Sequence, residues 1–163
     1  MAISIVRIDD RLIHGQIIQG WLQGSDISAL AVASDAAAKD IMWQNLMSMS
    51  VPEHIELKVA SVENLAEIIL SGYFENKNAM LLISCPKDIL TILKKGLKID
   101  SINVGGMRYS EGKNKVLYNI YADDGDIADL KEISLMGIAL EGRLLPKDEK
   151  IDVAAAIKKY EGK

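Results

Sequence analysis

The chain of 163 residues has little of several residue types that mark special classes of protein. Its one cysteine, Cys85, cannot form a disulfide within the chain, which is the usage expected in a reducing cytoplasm. The most apolar stretches, at 29–33 and 79–83, reach only strand length, whereas a membrane-spanning helix needs roughly 20 apolar residues. The first residues lack the charged and apolar regions of a signal peptide, so we expect no targeting segment.

Concentrated positive charge is also lacking. The chain has 19 lysines and arginines against 23 aspartates and glutamates, a net charge of −4, and the basic residues are scattered along it. The pairs Lys94-Lys95 and Lys158-Lys159 are typical of solvated helix ends. A nucleic-acid-binding protein gathers its basic residues into a patch or stripe. We therefore predict no nucleic-acid partner.

Short β-type runs alternate with helical patterns along the whole sequence, which predicts an α/β fold. The predicted strands are Ile3–Val6, Leu30–Ala33, Glu56–Ala60, Ala79–Ser84, Ser101–Val104, Val116–Tyr121 and Ile138–Gly142. The predicted helices are Gly15–Gln23, Ala36–Met49, Val62–Leu70, Lys87–Lys94, Ile127–Met136 and Val153–Tyr160. Residues 79–83 are apolar at every position, as in a parallel strand covered on both faces. We predict a single domain over residues 1–163, a three-layer α/β/α sandwich whose seven-stranded sheet is mainly parallel and has helices on both faces.

Local signals mark several helix ends. Ser61 and Asp35 precede helical patterns, and their side chains are expected to accept hydrogen bonds from the first N–H groups. Gly72, Gly96 and Gly137 stand where helices are expected to end, in the position that favours glycine.

The segment 7–16, Arg-Ile-Asp-Asp-Arg-Leu-Ile-His-Gly-Gln, carries most of the chemical information. It leaves the first strand and leads into the helix Gly15–Gln23, so His14 is expected at the carboxyl edge of the sheet, where open parallel sheets bind ligands. Unpaired N–H groups, the helix dipole and Arg11 would form an anion pocket there. The same positive charge disfavours the imidazolium, so the ring is expected to be neutral near pH 7 and able to attack phosphorus.

The charges around His14 favour this interpretation over a capping or core histidine. The loop holds two arginines and two aspartates: Arg7, Asp9, Asp10 and Arg11. Burying such charges without partners is costly, so they make a poor core. Arg11 can offer a planar fork of donors to phosphoryl oxygens, while Asp9 or Asp10 could hold that guanidinium or orient the ring. The loop therefore predicts a phosphoryl-accepting histidine.

Segment 7–16 with Trp21, then residues 103–107 (Asn-Val-Gly-Gly-Met) and 109–113 (Tyr-Ser-Glu-Gly-Lys), strongly resembles the enzyme IIB component of the mannose/fructose/sorbose family of the bacterial phosphoenolpyruvate-dependent sugar phosphotransferase system. The resemblance covers about Ile3 to Ile157. It implies a mainly parallel seven-stranded sheet with helices on both faces. It also implies a cytoplasmic protein that associates peripherally with a membrane transport complex. Ser84-Cys85-Pro86 departs from the family pattern in a neighbouring loop.

The resemblance also implies roles for individual residues. His14 matches the histidine that accepts a phosphoryl group from a IIA partner, through the ring nitrogen nearer the backbone. It then passes the group to a sugar during uptake through the IIC and IID membrane components. Arg11 matches an arginine that supports the phosphoryl group, and Gly15 and Gln16 supply loop backbone close to it. The implied protein is a histidine phosphotransferase without metal or other cofactor, because the phosphoryl group is carried covalently on His14.

Other features have simpler interpretations. Cys85 could be compared with the phosphocysteine of other IIB domains, but it lacks the arginines that lower a thiol pKa and is expected to be a small filler. His54 lies in a polar turn and is expected to be exposed. The segment Asn103–Met107 is expected to be a turn beside the His14 loop rather than a direct phosphate contact, its glycine pair permitting positive φ and close backbone approach.

Three aspartates, Asp123, Asp124 and Asp126, suggest a metal cluster at first. They directly precede a predicted helix and lack the later glutamate of a calcium loop, so we expect helix capping.

Other functions stay open at this point. A regulatory or binding module could use the same fold and phosphorylation to signal sugar flux. A nucleotide-binding Rossmann enzyme is disfavoured, because no Gly-x-Gly-x-x-Gly follows a strand. Mannose, fructose, sorbose and amino sugars all remain candidates for the transported sugar, and a homo-oligomer is possible.

Overall fold

A computed structural model describes residues 3–163. The strands in this range are β1 Ile3–Asp9, β2 Ala29–Ala33, β3 Glu56–Ala60, β4 Ala79–Ile83, β5 Ser101–Gly106, β6 Asn114–Leu117, β7 Ile120–Ala122, β8 Ala139–Gly142 and β9 Ile151–Asp152. A π-helix spans Gln16–Leu22, and the α-helices are α1 Asp35–Ala38, α2 Ile41–Ser50, α3 Val62–Leu70, α4 Pro86–Lys94, α5 Asp124–Leu135 and α6 Val153–Glu161. None of these helices has the length and hydropathy that a membrane span requires.

Seven strands form one sheet in the order β3-β2-β4-β1-β5-β8-β9. Every pairing in it is parallel except β8 with β9, which is antiparallel. All five residues of β4 are buried, as expected for a central parallel strand flanked by β1 and β2. The predicted mainly parallel sheet of seven strands is confirmed.

Each face of the sheet is covered by its own set of helices. In β4, Leu81 and Ile83 pack into a core with α3, α4, α5 and α6, whereas Met80 and Leu82 pack with the π-helix, α1 and α2. The alternation follows from the two-residue period of a strand. This arrangement confirms the three-layer sandwich with helices on both faces.

The same alternation places charged side chains of β1 on one face. Ile8 points into the core beneath α3 to α6. Arg7 and Asp9, one residue before and one after it, therefore point to the side of the π-helix. Both are completely buried.

Two strand predictions need correction. The predicted strand Val116–Tyr121 is a separate hairpin, β6 and β7, whose strands meet at the Leu117–Ile120 pair. The seventh strand of the main sheet is instead β9. Two residues are too few to show an alternating pattern in the sequence, so β9 is stabilised by its pairing with β8 rather than by local propensity.

The predicted helix Ala36–Met49 is interrupted. It forms two helices, α1 and α2, and Asp40 stands between them in an extended conformation. The Asp40 side chain accepts a hydrogen bond from Trp43 N at 2.9 Å and caps α2. An aspartate that caps a helix favours a new start over a continuous helix.

Most of the predicted helix ends are confirmed. Ser61 accepts a hydrogen bond from Asn64 N at 3.3 Å, and the three helix-ending glycines all have positive φ: Gly72, Gly96 and Gly137. Asp35 was predicted to cap the helix that follows it, and this prediction was wrong. Ser34 caps α1, while Asp35 Oδ1 accepts from Val62 N at 2.9 Å in the first turn of α3.

Candidate functional site

The loop between β1 and the π-helix presents His14 at the carboxyl edge of the sheet. It begins with a tight turn, in which Leu12 N donates to Asp9 O at 2.9 Å. Leu12 has φ of +57°, a left-handed conformation that costs a residue with a Cβ about 1 kcal/mol. Its side chain is completely buried with Ile17 and Trp21, and that burial more than offsets the cost. The turn is therefore held in shape by the core beneath it.

The helix after His14 differs in type from the prediction. Ile17, Trp21 and Leu22 are buried, but the hydrogen-bond pattern is that of a π-helix of seven residues. So short a helix aligns few peptide dipoles, and the expected contribution of the helix dipole is correspondingly small. The positive charge at the site comes mainly from Arg11.

Asp9 is the centre of the site. Its carboxylate is buried and lies 2.8 Å from His14 Nε2 and 2.9 Å from Arg7 Nη2. It also accepts hydrogen bonds from Arg11 N at 3.1 Å and Arg11 Nε at 3.2 Å. One carboxylate thus holds two guanidinium groups and the imidazole ring.

The surroundings of Asp9 keep it ionised. Burial by itself would raise its pKa, but the hydrogen bonds that it accepts from His14 and Arg11 and the charge of Arg7 outweigh burial and hold the pKa well below its usual range. A carboxylate can only accept, so we assign the proton of the neutral imidazole to Nε2. This assignment leaves the lone pair on Nδ1, where it accepts a hydrogen bond from the backbone N–H of Gln16 at 3.3 Å.

Arg7 serves as the buried counter-charge of Asp9. Its Nη1 donates to Asn103 Oδ1 at 2.6 Å and to the carbonyl oxygens of Arg143 and Leu144 at 3.3 and 3.1 Å. Burial lowers the pKa of Arg7, and the adjacent Asp9 carboxylate works against that shift. With no exposed surface, Arg7 positions Asp9 and is not itself available to a ligand.

The segment Asn103–Met107 is not the turn that we expected. Residues 103–106 belong to β5, and neither Gly105 nor Gly106 has positive φ. The glycines are needed for space, since a Cβ on Gly105 would overlap the Arg7 guanidinium and one on Gly106 would lie 3.2 Å from Asp9 Oδ1. Their role is the close approach of backbone to the charged pair.

Arg11 is the exposed arginine of the loop, with 31% of its side chain accessible, whereas Arg7 has none. Its Nη2 donates to Gln16 Oε1 at 3.2 Å, so Gln16 contacts both Arg11 through its side chain and His14 through its backbone. Gly15 is exposed, and nothing lies within 4 Å of a Cβ built on it. Of the predicted residues, Gln16 contacts the ring directly, Arg11 is connected to it through Asp9 and Gln16, and Gly15 follows His14 in the chain.

Asp10 has a different role from the one predicted. Its side chain forms no hydrogen bond with Arg11 or His14 but accepts from Arg108 N and Arg108 Nε, at 2.9 and 3.1 Å. This pair ties the His14 loop to the loop after β5. The sequence reasoning missed Arg108 as a partner, because a contact across 98 residues leaves no local pattern.

The remaining candidates behave largely as predicted. Asp123 caps α5 and Asp126 completes a capping box, so these aspartates serve the helix start. His54 is exposed. Cys85 is half-buried at the start of α4, and burial raises the pKa of its thiol. Within residues 3–163, no group of three or more His, Cys, Asp or Glu side chains is placed to hold a metal ion.

The fold and the site together define a class: an α/β protein that presents a histidine, oriented by a buried aspartate, at the carboxyl edge of a parallel sheet. Residues 3–163 match the model of the PTS system sorbose subfamily IIB component. The chain belongs to this family of phosphotransferase-system proteins, which take part in sugar transport.

Individual relatives agree with this assignment. The chain is 34% identical to the fructose-specific EIIB component of Bacillus subtilis, over 93% of each. It is 33% identical to the mannose-specific EIIAB component of Escherichia coli. The match covers 99% of this chain, which spans half the length of that relative. The crystal structure of the IIBSor domain of the sorbose permease from Klebsiella pneumoniae superimposes with a TM-score of 0.91 over 98% of each chain, at 26% identity.

Proposed function

We propose that this protein is a phosphocarrier that accepts a phosphoryl group on His14 Nδ1 from a IIA partner and transfers it to a sugar during uptake. The observation that carries the proposal is the contact of 2.8 Å between the buried Asp9 carboxylate and His14 Nε2. It fixes the ring through one nitrogen and leaves the other as the nucleophile. The protein would then act as a histidine phosphotransferase.

The first transfer needs only one bond exchange. The Nδ1 lone pair of His14 attacks the phosphorus of the IIA phosphohistidine, and the phosphorus–nitrogen bond on the donor breaks with its electron pair returning to the donor nitrogen. Arg11, whose Nη1 donates to neither Asp9 nor Gln16, can neutralise the equatorial phosphoryl oxygens. The backbone N–H of Gln16, which donates to Nδ1 at 3.3 Å in the free protein, can donate to one of them once the Nδ1 lone pair is bonded to phosphorus.

Asp9 contributes differently to the two states of the ring. Once Nδ1 forms a bond to phosphorus, the ring acquires positive charge, and the adjacent carboxylate at Nε2 stabilises it. In the second transfer a sugar hydroxyl oxygen attacks phosphorus, the bond to Nδ1 breaks, and the hydroxyl proton passes to a base among the membrane partners. No cofactor enters either step, since the phosphoryl group is carried covalently.

The partners follow from this role. We propose a cognate IIA donor and IIC and IID membrane components that hold the sugar. The fusion named in the EIIAB relatives supports the IIA donor, because it joins a IIA region to a IIB region in one protein. The proposed location is the cytoplasmic face of the membrane, where the protein would bind the transport complex peripherally.

The test is the intact mass of the protein after incubation with phosphoenolpyruvate and the upstream phosphotransferase proteins, including a IIA. We expect the wild type and the matched control Cys85→Ser to gain one acid-labile phosphoryl group, and His14→Ala to gain none. Circular dichroism checks that the variants are folded. Gain by His14→Ala would contradict the assignment. A wild type that is not phosphorylated by a competent donor would favour a regulatory or binding module.

A further inference from the structure

The surface of α2 carries an apolar stripe that the rest of the chain leaves uncovered. Trp43 and Met47 face the core of the sandwich. On another side of the same helix, Met42, Leu46 and Met49 are 74%, 60% and 83% exposed. Soluble proteins seldom leave several large apolar residues exposed side by side, unless the patch has a partner.

The spacing of the stripe is that of a helix pair. Met42, Leu46 and Met49 follow one another at intervals of four and three residues, which keeps them on one side of an α-helix and is the spacing of helices that pack against each other. None of the ten residues of α2 is charged. A face without charge can meet an identical face without repulsion between like charges.

The charges flanking α2 fit an antiparallel arrangement. Lys39 lies just before the helix and Glu53 just beyond it, both are exposed, and neither forms a salt bridge within residues 3–163. Leu46 stands midway between them in the sequence. If two copies of α2 packed antiparallel about a two-fold axis at Leu46, each Met42 would lie beside the other copy's Met49, one residue from the facing position, and each Lys39 would lie near the other copy's Glu53.

We propose that α2 is the contact surface for a second copy of this chain, packed as an antiparallel helix pair about Leu46. The inference is independent of the proposed function. The arrangement leaves His14 free, because α2 begins near the carboxyl edge of the sheet and its antiparallel partner directs the second carboxyl edge to the opposite end. A contact through one helix is smaller than a standard interface, so the dimer should dissociate on dilution.

The experiment is sedimentation of the full chain from about 1 µM to about 300 µM, a range that covers weak dimers. We expect the wild type to shift reversibly from monomer to dimer. Leu46→Glu places like charges together at the axis and should weaken dimerisation at least about tenfold. The matched control is Leu135→Glu, at an 88% exposed leucine on α5, which should leave dimerisation unchanged.

Charge reversal tests the antiparallel register. Lys39→Glu and Glu53→Lys should each weaken the dimer about threefold to tenfold, and the double variant should restore it, since the two charges exchange places across the axis. A wild type that stays monomeric throughout would overturn the proposal, as would a dimer unaffected by Leu46→Glu. A third outcome would also overturn it: the wild type forms no dimer but binds another protein or lipid vesicles, and Leu46→Glu loses that binding. The stripe would then belong to a different partner.

Discussion

The loops that leave β1 and β4 occupy matching places in the fold but differ in chemistry. The two strands are parallel neighbours, with Ile8 paired to Ile83, so both loops start at the same edge and both lead into a helix. Around His14 the pKa of Asp9 is lowered, since hydrogen bonds and charges overcome burial. After β4, burial dominates instead and raises the pKa of both Cys85 and Asp88.

Under the proposed function, this difference decides which of the two loops carries the nucleophile. The β4 loop has a longer and more regular helix than the β1 loop, yet its thiol is held in the protonated form. The β1 loop has a short π-helix, but it brings to the histidine a carboxylate that is itself paired with two guanidinium groups. Position at the edge is therefore common to both, and the arrangement of charges is specific to one.

The largest expected contrast is in phosphoryl acceptance by the two loops. His14→Gln should lose acceptance completely, whereas Cys85→Ala should keep the wild-type rate, because only the first removes the ring nitrogen. Quenched-flow transfer from phosphorylated IIA measures both rates. A slowed Cys85→Ala variant would show that the β4 loop takes part after all.

The next contrast is in stability. Asp9→Asn leaves the buried Arg7 without its counter-charge and should lower the free energy of unfolding by about 3–5 kcal/mol. The control Asp88→Asn, at a carboxyl group whose pKa is raised by burial, should change it by less than about 1 kcal/mol. Urea unfolding followed by circular dichroism gives both values.

The pH dependence of the stability of these variants tests the direction of the Asp9 pKa shift. The pKa of Asp9 is lower in the folded than in the unfolded state, so its stabilising effect is complete above the unfolded value of about 4 and is lost as the pH falls further. The stability difference between wild type and Asp9→Asn should therefore shrink with acidification below about pH 4. A difference that grows on acidification would contradict the lowered pKa.

Arg11→Ala should separate chemistry from stability. The side chain is partly exposed, so its loss should cost less than about 1 kcal/mol of folding free energy. Phosphoryl transfer to His14 should slow about 100-fold, because the charge that neutralises the phosphoryl oxygens is gone. Rapid-mixing kinetics at several IIA concentrations distinguish slower transfer from weaker docking. Weaker docking with a normal transfer rate would assign Arg11 to partner binding instead.

The smallest expected effect concerns the left-handed residue of the β1 loop. Leu12→Ala and Leu12→Gly both remove a buried side chain, but only glycine relieves the positive φ. We expect the glycine variant to be about 1 kcal/mol more stable than the alanine variant, the reverse of their usual order in regular structure. Thermal unfolding of the pair measures the difference. Equal stabilities would mean that the turn relaxes when Leu12 is removed.

Much of the fold is predictable because hydrophobic period and helix ends are local properties. The all-apolar run 79–83 predicts a central parallel strand, and Ser61 predicts a helix start, since each depends only on its neighbours in sequence. The hairpin after Leu117 and the strand β9 depend on pairing with distant segments, which no local pattern reveals. The same apolar spacing fits an α-helix and a π-helix, so the type of the helix after His14 was not predictable.

The residues of the site were likewise predictable only where a local pattern in the sequence reveals them. His14 and Arg11 are predictable because they lie within one short segment of unusual composition. The roles of Asp9 and Asp10 could not be distinguished, since the sequence does not show that β1 ends between them, and the partners, Arg7 and Arg108, had to be located in space. Gly105 could be recognised as unusual, but its reason, room for the Arg7 side chain, depends on the packing of two strands.

The central claim is that Asp9 fixes the His14 ring through Nε2 and leaves Nδ1 to accept the phosphoryl group. Nitrogen-15 NMR of the histidine side chains tests it directly, with the protein measured before and after phosphorylation by IIA and His14→Ala used to assign the signals. The account predicts a proton on Nε2 in both states and a phosphorus coupling on Nδ1 in the second. A phosphoryl group on Nε2, or a free ring protonated at Nδ1 alone, would contradict it.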